Sequence, residues 1–116
     1  MERLKDRVAL VTGSAQGMGL AIATALAAEG AHIVISDVNE ETIAKTVENL
    51  EGHGHHAMGV RMDVTNRQSV SDAIDKVASE WGPPEVLVNN AGGALHTPHI
   101  LSEIGEKDWD LVVNVN

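Results

Sequence analysis

The sequence predicts an α/β protein, a doubly wound parallel sheet of strand order 3-2-1-4 that stops after its fourth strand and part of the next helix. Three observations lead there. Short apolar runs alternate with stretches of helical period from one end to the other. The clearest runs lack in-and-out alternation, as strands covered on both faces require. Three glycines in "TGSAQGMG", Thr12 to Gly19, stand where the first run gives way to the first helical stretch.

The first strand, Val8 to Val11, is apolar throughout and stops at Thr12 and Gly13. From Gly17 to Glu29 the period is helical: Met18, Ile22 and Leu26 recur at i+4 steps, and Gly30 supplies the C′ residue. "HIVISD", His32 to Asp37, is the second strand. The next helix starts behind Asn39, whose side chain caps it, while Glu40 and Glu41 favour its positive end. Ile43, Val47 and Leu50 form its buried stripe. Beyond Gly52 and Gly54, "HAMGVRMDV" (56–64) reads as a third strand interrupted by Gly59 and Arg61. Thr65 and Gln68 then form a capping box, followed by Val70, Ile74, Val77 and Trp81 on one helical face. "GPP" at Gly82 to Pro84 ends that helix. "EVLVNN" is the fourth strand, and a looser "GGALHTPHI" leads to a helix in "EKDWDLVVNVN" carrying Trp109, Val112, Val113 and Asn116 on one face. Connections between parallel strands cross over right-handedly, which sets the expected order.

With 116 residues and 43% hydrophobic content, residues 1–116 read as one domain, or part of one, with no linker and no repeat. Eight Lys and Arg against 17 Asp and Glu, a net charge of −9, argue against a nucleic-acid partner. There is no cysteine, hence no disulfide and no thiolate metal site. "MERLKDRVAL" has no long apolar stretch behind its charges, so no membrane partner and a cytoplasmic location are expected. Nothing after the fourth strand can pair with its free side, and an apolar strand left at an edge invites aggregation, so the chain reads as the first part of a larger sheet.

A helix that begins directly after a strand presents unpaired N–H groups and a partial positive charge, which suit a pyrophosphate. Gly13 takes the tight turn, Gly17 allows close approach and Gly19 lets the helix lie near the sheet, by analogy with the dinucleotide fingerprint of Rossmann-type folds. The spacing G-x-x-x-G-x-G differs from the usual G-x-G-x-x-G and lacks the Gly-Lys-Ser/Thr ending of a triphosphatase loop. Asp37 ends the second strand 18 residues after Gly19, where a carboxylate can accept both hydroxyls of an adenosine ribose. It would oppose a 2′-phosphate by about 4 kcal/mol per charge pair at 4 Å in an effective dielectric near 20. Ser14, Ala15, Gln16 and Val38 offer no compensating cation, so NAD is favoured over NADP.

"TGSAQGMG", Asp63-Val64 and "NNAG" at Asn89 to Gly92 together resemble the short-chain dehydrogenase/reductase family, and the resemblance covers the whole chain. It implies that Gly13, Ser14, Gln16, Gly17 and Met18 line the pyrophosphate and ribose, with Asp37 on the ribose hydroxyls. Asp63 would accept from the adenine amino group, Val64 would lie against the ring, and Asn90, Ala91 and Gly92 would approach the cofactor. Asn89 would instead tie strands together. Asn116 falls at the family's catalytic asparagine, which helps anchor a water and lysine in a proton relay. The family's Tyr-x-x-x-Lys and preceding serine do not occur, and the chain has no tyrosine at all. The resemblance therefore implies an NAD-dependent oxidoreductase in a parent protein, acting on a small alcohol or ketone, with this chain inactive alone. A homo-oligomer is implied too, since the helix containing Asn116 commonly packs on a partner subunit in this family.

A non-catalytic NAD(H)-binding module is the alternative, and methyl transfer from S-adenosylmethionine is a weaker third reading, disfavoured by "NNAG". His53, His55 and His56, or His96 and His99, share no defined spacing with a carboxylate or thiolate partner, so no metal site is expected.

Overall fold

The structure is a computed structural model and describes residues 3–90. Its elements run β1 (Val8–Thr12), α1 (Gly17–Ala28), β2 (His32–Asp37), α2 (Glu40–Gly52), β3 (Ala57–Arg61), α3 (Arg67–Trp81) and β4 (Val86–Val88). The four strands pair in parallel in the order β3-β2-β1-β4, as the alternation of runs and helices predicts. All five residues of β1 are buried because β1 is paired on both sides and covered on both faces. Ala9, Val11, Ile33 and Ile35 meet Ala23 and Ala27 of α1 and Ile43 and Leu50 of α2 on one face. Val8, Leu10, Val34 and Leu87 meet Val70, Ala73 and Val77 of α3 on the other.

Strands β3 and β4 are shorter than the apolar segments that announce them. Gly59 does not interrupt β3 but lies within it, in register with Ile35, and is there for a packing reason: a Cβ would run into Ile43 Cγ2, so glycine lets α2 lie close over the strand. The expected faces of α2 and α3 turn inward, with Val47, Ile74 and Trp81 partly buried beside their cores. Gly30 adopts φ 93° after α1, the left-handed conformation that glycine takes freely.

On α1 the buried residues are Gly19, Ala23 and Ala27, whereas Met18 is 74% exposed. The helix lies so near the sheet that its inner face takes glycine and alanine, and the larger Ile22 and Leu26 flank it partly buried. One further expectation, the cap of α3, is corrected: the cap is Asn66, whose Oδ1 accepts from Ser69 N at 2.9 Å. Thr65 is drawn away by Asp63, donating its hydroxyl to Oδ1 at 2.6 Å, and Gln68 donates instead to Asp72 Oδ1 at 2.7 Å. The "GGALHTPHI" segment, the helix expected near Trp109, and the site residues Ala91, Gly92 and Asn116 lie outside the described residues.

Candidate functional site

The carboxyl ends of the parallel strands gather the site. β1 leads into Gly13 at φ 64°, and Gly17 opens α1 at φ 64°. Between them the main chain is held by side chains from other elements. Ser14 is fully buried; its N–H donates to Ser36 O at 2.9 Å and its Oγ accepts from Ser36 N at 3.0 Å. Its hydroxyl thus clasps β2. Ala15 N donates to Asp37 Oδ2 at 3.2 Å, and Ala15 O accepts from Thr46 Oγ1 of α2 at 3.0 Å. Gln16 is extended and exposed and makes no side-chain cap to its own helix.

That last feature separates α1 from its neighbours. Asn39 caps α2, accepting from Thr42 N at 3.0 Å, and Asn66 caps α3. The first main-chain bond of α1 runs from Leu20 N to Gln16 O at 3.4 Å, ahead of which the opening N–H groups of a helix have no intrahelical acceptor. Beyond its chain neighbours and its own helix backbone, nothing lies within 4 Å of where a Gly17 Cβ would project, so the space on that side of the turn is open. An anion placed there would meet donors and the positive end of the helix dipole.

Gly19 has the opposite environment. A Cβ there would collide with the Gly13 carbonyl and come within 2.7 Å of Asn90 Nδ2. Asn90 reaches this spot from the end of β4, donating its main-chain N–H to Thr12 Oγ1 at 2.8 Å and its amide to Gly13 O at 3.4 Å. Thr12 Oγ1 also lies 3.5 Å from Asn89 Oδ1, so the ends of β1 and β4 are laced together under the turn.

Two carboxylates border this edge. Asp37 Oδ1 accepts from Val38 N at 2.9 Å while Oδ2 holds Ala15, and carboxylate oxygens have lone pairs beyond these single bonds. Met62 N donates to Asp37 O at 2.8 Å, which brings Asp63 next to the end of β2. Asp63 Oδ1 accepts from both Thr65 N and Thr65 Oγ1. The Thr65 hydroxyl, then its N–H, hold the Asp63 carboxyl below the usual carboxylate range; burial opposes this and the Arg61 charge assists. Val64 packs partly buried against the α3-side core. Met18 and Val38 are the exposed large apolar residues among those described, the first on α1's opening turn and the second just after β2. Among the described residues no group of three or more His, Cys, Asp or Glu is placed to hold a metal ion.

Gly13, Ser14, Gln16, Gly17, Met18, Asp37, Asp63 and Asn90 thus come to one edge of the sheet. Sequence reasoning missed Thr12 and Thr46, the two threonines that tie this edge to β4 and α2. Thr46 had a legible signal, since it shares with Ile43 and Leu50 the spacing of a core-facing stripe.

A parallel sheet in this order, with an uncapped helix opening off its first strand, defines the Rossmann-type class. Residues 7–116 match the family model of the short chain dehydrogenases, and the chain belongs to that family. It is 37% identical over 113 residues to the (2S)-[(R)-hydroxy(phenyl)methyl]succinyl-CoA dehydrogenase subunit BbsD of Thauera aromatica, covering 97% of this chain and 45% of that protein. A short chain dehydrogenase from Mycobacterium smegmatis superimposes with a TM-score of 0.77 at 36% identity, covering 99% of this chain and 48% of that one. L-sorbose reductase from Gluconobacter frateurii, solved with NADPH and L-sorbose, gives 0.75 at 33% identity, covering 96% and 42%. The chain spans less than half the length of each of these proteins.

Proposed function

We propose that this chain is the NAD(H)-binding portion of an oxidoreductase that interconverts a small alcohol and its ketone. The observation that carries the reading is the uncapped start of α1 with the Asp37 carboxylate bonded beside it, against capped starts on α2 and α3. When bound, the nicotinamide supplies or accepts hydride at C4. The chain's own residues bind and orient. N–H groups of the turn from Gln16 to Met18 face the pyrophosphate, Gly13 and Gly17 keep side chains out of its way, and Ser14 holds the turn to β2. Asp37 accepts from the ribose hydroxyls, Asp63 from the adenine amino group with Val64 against the ring, and Asn90, Ala91 and Gly92 border the inner half of the cofactor. Asn116 is assigned to the proton relay. With no tyrosine in the sequence, the chain by itself binds without turning over.

NAD is the proposed form because the Asp37 charge opposes a 2′-phosphate, although one structural neighbour was solved with NADPH. Calorimetric titration of Asp37→Ala with both cofactors tests this. The preference for NAD over NADP is expected to fall by about tenfold or more, since a charge contact of about 1.4 kcal/mol already corresponds to that factor; an unchanged ratio removes Asp37 from the ribose site.

A further inference from the structure

We propose that Thr46 is a positioning residue for the cofactor turn, acting on it from α2; this rests on the reading of that turn as the NADH site. Thr46 is 8% exposed, and its hydroxyl donates to Ala15 O at 3.0 Å. Inside a helix, a threonine hydroxyl commonly bonds the carbonyl one turn back, as Thr24 of α1 does with Leu20 O at 2.8 Å. Thr46 sends its proton out of its own helix to a loop 31 residues away.

The acceptor matters more than the bond itself. Ala15 O belongs to the peptide that joins Ala15 to Gln16, and a trans peptide is planar with its C=O and N–H on opposite sides. Holding the carbonyl toward Thr46 therefore aims the Gln16 N–H away from α2, at the residue where the turn becomes extended and exposed. On the other side of Ala15, the Asp37 carboxylate holds the preceding peptide through Ala15 N. Two successive peptide planes ahead of Gly17 are thereby fixed by elements outside the glycine motif. Without the Thr46 hydroxyl, the buried carbonyl loses its partner, and rotation of the peptide to find another would re-aim the Gln16 donor.

Thr46→Val keeps the shape and removes the proton; Thr46→Ser restores it. Amide hydrogen exchange of the unliganded chain and NADH titration are measured for both. In Thr46→Val, the Ala15 and Gln16 amides are expected to exchange about fivefold faster and NADH affinity to fall about fivefold to tenfold. Exchange at Leu10 and Val34 in the sheet stays as in the parent, and Thr46→Ser returns both readouts toward it. Unchanged turn exchange with parent-like NADH binding in Thr46→Val overturns this proposal alone, as does acceleration spread equally through Leu10 and Val34, or failure of serine to rescue. No NADH binding by the unsubstituted chain overturns the nucleotide reading, and this proposal with it.

Discussion

At the scale of single residues, the glycines of the turn have different physical reasons that share one spacing. Gly17 needs its positive φ and faces open space; Gly19 has no room for a Cβ because the Gly13 carbonyl and Asn90 occupy it. The fingerprint analogy gave Gly17 to close approach and Gly19 to helix–sheet packing, and the coordinates name the groups that crowd Gly19, the Gly13 carbonyl and the Asn90 amide. Asp63 carries a pH prediction. Its folded pKa lies below the ordinary value, so folding is favoured by its ionisation; that contribution is complete above the unfolded-state value of about 4 and is lost as pH falls through the lower folded value. Thr65→Val removes the principal cause, the hydroxyl bond to Oδ1. The Asp63 carboxyl resonance in an NMR titration should then move to a higher midpoint, with less loss of stability on the acid side. An unmoved midpoint would show that the Thr65 hydroxyl is not what lowers it.

At the scale of elements, strand and helix succession was legible because period and composition change sharply at Gly13, Gly30 and Gly82. One error fell where two neighbours compete for one role. A Thr-x-x-Gln box reads as a cap, but Asp63 sits two residues before Thr65 and captures its hydroxyl, leaving Asn66 to cap α3. Asn66→Ala is accordingly expected to lower stability by about 1 kcal/mol, the usual worth of a side-chain cap, and Gln68→Ala by only a few tenths. Urea denaturation of both variants checks this; equal losses would restore the capping box. On α1 the i+4 series marked the helix and left its inner face unassigned. Periodicity picks the largest apolar residues, and the close approach of the helix to β1 and β2 favours the smallest instead.

At the scale of the whole molecule, binding and folding are linked. If the edge formed by α1, Asp37 and Asp63 takes NADH in the folded state only, ligand at a hundred times its dissociation constant stabilises the chain by about 2.7 kcal/mol. A thermal unfolding midpoint raised by several degrees is the expected reading, with a smaller rise for Asp37→Ala. A midpoint indifferent to NADH would mean that the edge does not close around the nucleotide. The sequence by itself determined the layer architecture and the strand order, because burial on both faces and glycine turns are local properties written in composition and spacing; Asp63 and Asn90 were named there only through the family resemblance, and Thr12 and Thr46 were missed. Tertiary structure alone decided which groups hold the turn in shape. Thr46 holds Ala15 across 31 residues and Asn90 holds Gly13 and Thr12 across 77 and 78, and pairings at that separation depend on how β4 and α2 dock against β1.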